Sequence, residues 1–127
     1  MLPITQTKVV VRNSKDEIVI RGNCYAAAIA SLLEIPITEV PNVETLFHIE
    51  GQLWLDVMLK FLESKGYKLQ TKSVTEDGYY YIASGDSPRG VKHSVIYFNG
   101  KMVHDPHPTR EGLLSIDYYE RLMPITR

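Results

Sequence analysis

The chain has 127 residues, enough for one hydrophobic core and not for two. Its 14 basic and 15 acidic residues nearly cancel, so it lacks the basic field that non-specific binding to nucleic acid or an anionic membrane requires. The single cysteine, Cys24, excludes an internal disulfide and a cysteine-rich zinc site, and its thiol fits a reducing cytoplasm.

No repeat, linker or low-complexity stretch divides the sequence, so residues 1–127 are expected to form a single domain. No apolar run approaches the ~20 residues that cross a bilayer. The first residues, MLPITQTKVVV, lack the basic-then-apolar order of a secretion signal.

Two strand-like runs, Lys8 to Arg12 and Glu17 to Arg21, flank the turn cluster Asn13-Ser14-Lys15-Asp16 and predict a small hairpin. Gly22-Asn23 stops the second run. The segment CYAAAIASLLEI then reads as a helix, with Tyr25, Ala28, Ile29, Leu32 and Leu33 at helical spacing. Asn23 is placed to cap it and Pro36 to end it. The alanines at 26, 27, 28 and 30 allow close approach of a neighbour, so this helix is expected to be central and buried.

Residues 37–50 are irregular. A second helix is expected from about Gln52 to Lys65, with Trp54, Leu55, Met58, Phe61 and Leu62 as its apolar face and Gly66 as its C-terminal cap. Strands follow at Tyr67 to Ser73 and Tyr79 to Ala83. The stretch Gly85-Asp86-Ser87-Pro88-Arg89-Gly90 reads as a loop. Val91 to Phe98 and Lys101 to Asp105 are strands joined at Asn99-Gly100, a strong hairpin signal. Asp105 to Gly112 reads as a loop and Ile116 to Leu122 as a final short helix. Helices first and an antiparallel meander after them give an α+β class.

Cys24 carries the sharpest chemical signal. The first turn of a helix presents unpaired amides and the positive end of its dipole, which favour a thiolate. The bland alternative is a small buried hydrophobe. A thiolate enzyme also needs a base and a group that orients it. His93 opens one strand of the late hairpin and Asp105 ends the other, and the turn decides whether they meet. A two-residue loop pairs Phe98 with Lys101 and turns Asp105 from His93. A three-residue loop with Gly100 in a left-handed bulge pairs Tyr97 with Lys101 and sets His93 opposite Asp105. The three-residue loop is expected.

Other candidates are weaker. His104, Asp105, His107 and His93 have ligand chemistry, but neighbours on a strand point to opposite faces, so no metal is expected. His48 reads as a surface or packing residue. The Gly85–Gly90 loop lacks the Lys-Ser/Thr of a phosphate loop. Arg89 is a candidate for binding a substrate carboxylate, and Tyr79, Tyr80 and Tyr81 need no function.

Taken together, Gln6-Thr7, the run GNCYAAAIASLLEIPITEVPNV, and His93 and Asp105 within SPRGVKHSVIYFNGKMVHDPHP resemble the papain-like cysteine peptidases. Within that superfamily they look most like the peptidase domain that removes double-glycine leaders from bacteriocins. They are also similar to small uncharacterised proteins of bacteria and phages. The resemblance covers most of the chain. It implies a papain-like fold with a central N-terminal helix on an antiparallel sheet. It implies Cys24 as nucleophile, His93 as general base and Asp105 as the group that orients the imidazole. It also implies Gln6 as the oxyanion donor beside the Cys24 amide. Asn23, next to Cys24, is a further candidate for binding substrate. In the family that glutamine lies a few residues before the cysteine. Here residues 7–23 intervene, and the hairpin can return the chain.

The expected function is a cytoplasmic thiol hydrolase that cleaves an amide or thioester of a peptide or protein through an acyl-cysteine. No cofactor is expected. The rivals are an acyltransferase or deamidase at the same site, and a catalytically silent binding protein, such as a host-factor inhibitor, on the same fold.

Overall fold

The structure is a computed structural model and describes residues 1–20, 22–41 and 53–125. Its elements in chain order are β1 (Val11–Arg12), β2 (Ile18–Ile20), α1 (Cys24–Leu33), a 3-10 turn (Ile37–Glu39), α2 (Leu53–Ser64), β3 (Tyr67–Lys72), β4 (Tyr80–Asp86), β5 (Lys92–Phe98), β6 (Lys101–His104) and β7 (Tyr118–Pro124). β1 and β2 form the small hairpin, shorter than the sequence suggests. The other five strands make one antiparallel sheet in the order β3-β7-β4-β5-β6. The class is α+β, as expected.

α1 lies on the sheet because its contact residues are small. Ala26, Ala27, Ala28 and Ala30 are at most 1% exposed, so the helix backbone comes close to β5. Ile29 completes the contact with Ile82 of β4, Ile96 of β5, and Met58 and Leu62 of α2 in one core cluster. The helix stops where Glu34 turns left-handed (φ 57°), and Pro36 prevents its resumption.

The start of α1 differs from expectation. Asn23 makes no side-chain cap. Its Oδ1 accepts instead from the backbone amides of Thr7 (3.0 Å) and Lys8 (2.9 Å). An asparagine oxygen serves whichever amides the tertiary structure brings nearer, and here those belong to the N-terminal segment.

α2 follows the predicted span. Met58 and Leu62 are fully buried and Phe61 packs at the margin, but Leu55 is 40% exposed and lies off the apolar face. Gly66 closes the helix with φ 88°, as expected. Gln52 and the side chain of Trp54 lie outside the described residues.

The predicted final helix is a strand. Residues 118–124 insert between β3 and β4 and pair with both, for example Glu120 with Thr71 and with Ile82. Alternation sends Tyr119 against the rings of Tyr81 and Tyr97, while Leu122 packs on the core. Pairing on both edges overrides a weak helical spacing. It also breaks the simple meander, since the last strand returns to the sheet interior.

β4 runs farther than predicted. Gly85 and Asp86 belong to the strand, and the loop begins at Ser87. The backbone of Ser115 crosses directly over Gly85, where a Cβ would stand 1.9 Å from the Ser115 carbonyl oxygen. Only glycine permits that crossing.

Candidate active site

The late hairpin closes by a two-residue turn, not the expected three-residue loop. Asn99 (φ 52°) and Gly100 (φ 75°) are both left-handed, and Phe98 pairs with Lys101. Continued without interruption, that register turns Asp105 from His93. It is interrupted. Tyr97 pairs with Met102 and Ile96 with His104, so Val103 is an extra residue with no partner on β5. This bulge inverts the facing of everything after it. Asp105 then stands level with Val95, whose side chain shares a face of the sheet with His93.

The consequence is a hydrogen bond of 2.6 Å from His93 Nε2 to Asp105 Oδ1. The two side chains are 3% and 0% exposed. Asp105 also accepts the backbone amide of His107 on Oδ1 (2.9 Å) and that of Gly112 on Oδ2 (2.8 Å). Arg110 donates to its main-chain carbonyl. Burial pushes the Asp105 carboxyl up, but the His93 bond and the two amides outweigh it and hold it down at about 2. Asp105 is therefore a fixed anion that fixes the imidazole. With Nε2–H committed to the carboxylate, Nδ1 of His93 carries the basic lone pair.

Three residues beyond the expected set complete this corner. The ring of His107 meets that of His93 edge to face, with centroids 6.0 Å apart. Burial, and after it the Arg89 charge, lower its pKa. The Thr109 amide donates to its Nδ1. Gly112 brings the returning loop onto Asp105. The sequence reads Asp105 to Gly112 as a loop but carries no signal that it returns onto the Asp105 carboxylate.

Cys24 is the first residue of α1. Within α1 the first turn holds no acidic side chain, and Asn23 does not cap it with its side chain; the positive end of the helix dipole there favours negative charge. Gln6 is brought to this turn from the far side of the β1–β2 hairpin. Asn23 draws in Thr7 and Lys8, and its Nδ2 donates to Thr7 Oγ1 (2.7 Å). The Gln6 amide nitrogen of the backbone donates to the carbonyl of Pro106 (2.9 Å), next to Asp105. Hydrogen bonds and chain neighbours thus run without a gap from Cys24 through Asn23, Gln6 and Pro106 to Asp105 and His93. Gly22 makes room: a Cβ there would lie 3.2 Å from Gln6 Nε2.

Gln6 is buried, at 7% exposure. Its Nε2 donates one hydrogen to the Lys8 carbonyl (2.7 Å), while its Oε1 is buried without a partner. The second Nε2 hydrogen remains for another acceptor.

Arg89 does not stand ready for a substrate carboxylate. It donates to Thr109 Oγ1 (3.2 Å) and lies 3.6 Å from Glu111, so its charge serves the loop over His93. His104 points to the other face and donates to the Ile4 carbonyl (2.7 Å). His48 lies outside the described residues. Among the described residues no group of three or more His, Cys, Asp or Glu is placed to hold a metal ion. No helix among them is long and apolar enough to cross a membrane.

Comparison of the chain with models of protein families, with curated proteins and with solved structures finds no match.

Proposed function

We propose that the chain is a thiol-dependent hydrolase of papain-like fold, acting on an amide or thioester of a peptide or protein. The observation that carries this reading is the buried His93–Asp105 pair, tied through Pro106, Gln6 and Asn23 to the helix that Cys24 begins. An imidazole oriented by a carboxylate and a thiol at a helix N-terminus are the two halves of a thiolate nucleophile.

In the proposed cycle Nδ1 of His93 takes the proton of the Cys24 thiol. The thiolate attacks the carbonyl carbon, and the oxyanion is received by the Cys24 backbone amide and the second Nε2 hydrogen of Gln6. The His93 imidazolium, stabilised by Asp105, protonates the departing amine or thiolate. Water then attacks the acyl-Cys24 thioester with His93 as base. The carboxylic acid leaves and the thiol returns. A chemistry that depends on a reduced thiol fits a cytoplasmic setting.

The test is the rate of Cys24 alkylation by iodoacetamide against pH, read by mass spectrometry. The expected result is rapid labelling at mildly acidic pH that falls at least ~10-fold in His93→Ala. A rate that rises only near the ordinary thiol pKa, unchanged in His93→Ala, would overturn the reading in favour of a silent binding protein.

A further inference from the structure

His107 takes no part in the proposed cycle, yet its ring rests against the base. One carboxylate oxygen places both residues: Asp105 Oδ1 accepts from His93 Nε2 (2.6 Å) and from the His107 backbone amide (2.9 Å). The two rings meet edge to face, with centroids 6.0 Å apart and planes at 85°. His93 is buried and His107 is half-buried. Asp105 holds the His93 ring at one nitrogen, and the His107 ring restricts its rotation about that bond.

The protonation of His107 is fixed by Thr109. Nδ1 of His107 accepts the Thr109 amide (3.1 Å) and lies 2.9 Å from the Thr109 hydroxyl. That hydroxyl oxygen accepts from Arg89 (3.2 Å), which leaves its own hydrogen to point at Nδ1. With the Nδ1 lone pair engaged, the neutral ring carries its hydrogen on Nε2. A second proton has to enter at Nδ1, where it would face the Thr109 N–H and strand that amide. Burial, and after it the charges of Arg89 and His93, oppose the second proton, while Asp105 and Glu111 favour it. Glu111 lies 3.6 Å from Arg89, which offsets part of its pull. The balance leaves the His107 pKa below the ordinary histidine value.

We propose that His107 is a positioning residue for His93: a ring locked neutral by Thr109 and held edge to face against the base. This deepens the hydrolase reading and rests on it, because the neutrality of His107 matters where His93 gains a proton. His93 becomes an imidazolium in the proposed cycle. A charged ring 6.0 Å away, in a corner that solvent screens poorly, would oppose that step, and a neutral ring does not. The lock also decides which of the two histidines is the base. The basic lone pair of His107 is turned to Thr109, whereas the bond to Asp105 leaves that of His93 Nδ1 for the thiol.

The test follows the ring-nitrogen NMR signals of the histidines from about pH 5 to about pH 8, beside the rate of Cys24 alkylation by iodoacetamide. In the unaltered protein His107 is expected as the Nε2–H tautomer, neutral at about pH 7 and titrating below about 6.5. An Nδ1–H tautomer, or a charged His107 ring at about pH 7, overturns the proposal. His107→Lys sets a lasting cation beside the base and should lower the His93 titration midpoint by about one unit. His107→Ala should slow alkylation ~3- to 10-fold, and His107→Phe, which restores a neutral ring, should recover most of that loss. A merely structural role would not make the His93 midpoint follow the charge placed beside it. A midpoint that stays put in folded His107→Lys overturns the proposal, as does an alanine variant that labels as fast as the unaltered protein. If iodoacetamide fails to label Cys24 in the unaltered protein, the hydrolase reading falls, and the His93 midpoint in His107→Lys decides alone. A shift then supports the action of His107 on His93, and no shift overturns it.

Discussion

His93 donates to Asp105 across 2.6 Å because one residue, Val103, is left over in β6. The Asn99-Gly100 turn sets Phe98 against Lys101, a register that by itself turns the carboxylate to the opposite face. The bulge inverts the facing once more, and the carboxylate arrives beside the imidazole. Val103 is 45% exposed, so its place in the structure is not explained by burial.

Deleting Val103 should therefore separate His93 from Asp105 without removing either. The strand would pair regularly and Asp105 would turn to the other face. The His93 pKa by NMR and the Cys24 alkylation rate are the readouts. The deletion is expected to lower the rate at least ~10-fold, while Val103→Ala leaves it within ~2-fold, since the side chain is not the operative feature. An unchanged rate in the deletion variant would separate the bulge from the site.

Asp105→Asn should lower both activity and stability. Asparagine offers one oxygen where the carboxylate uses two, so an amide of His107 or Gly112 loses its acceptor, at a cost of about 1–3 kcal/mol. The wrong imidazole tautomer is also favoured, and activity should fall by ~10²-fold or more. Stability should depend on pH in a defined window. The carboxyl drops from 3.8 to about 2 on folding. A depressed carboxyl contributes stability above its unfolded pKa and loses it as pH falls through the folded one. Nearly two units correspond to roughly 2 kcal/mol, lost between about pH 4 and pH 2. Urea unfolding at several pH values should show that loss in the unaltered protein and not in Asp105→Asn.

Gly85→Ala tests the crossing over β4. A methyl group at 1.9 Å from the Ser115 carbonyl oxygen forces backbone to move. The expected cost is about 1–3 kcal/mol or more, read as a lower Tm. The amides of Leu114 and Asp117, which donate to Asp86 and Ser84, should exchange faster with solvent. Gly90→Ala offers a contrast: nothing stands within 4 Å of its Cβ, and only the left-handed φ of 76° opposes it.

Asn23→Ala should release the N-terminal segment from α1. It deletes the acceptor of two backbone amides and the donor to Thr7. A loss of about 1–3 kcal/mol is expected from the stranded groups. Gln6 should lose its fixed place, seen as faster exchange of the Thr7 and Lys8 amides. Asn23→Asp, which keeps the acceptor, should retain most of the protection.

The local elements were legible where one short-range cause dominates. Alanines at 26, 27, 28 and 30 with Ile29 specify a buried helix whatever lies against it, and the structure buries it. Asn99-Gly100 specifies a turn with two left-handed residues, because few other pairs tolerate that backbone. The order of Cys24, His93 and Asp105 was visible for the same reason, each standing at the end of a recognisable element. What sequence could not supply was any quantity set by a second strand or a distant segment. Residues 116–122 carry a spacing compatible with a helix, and pairing to β3 and β4 made residues 118–124 a strand. The extra residue at Val103 has no composition signal, because its facing is defined only against β5. Asn23 has oxygen enough for a cap, and tertiary proximity gave that oxygen to Thr7 and Lys8. Local backbone preference extends over a few residues, so sequence determined which residues have the chemistry. Pairing and packing act across the whole chain, so the tertiary structure alone decided that Gln6, Asn23, His93 and Asp105 belong to one connected corner of the molecule.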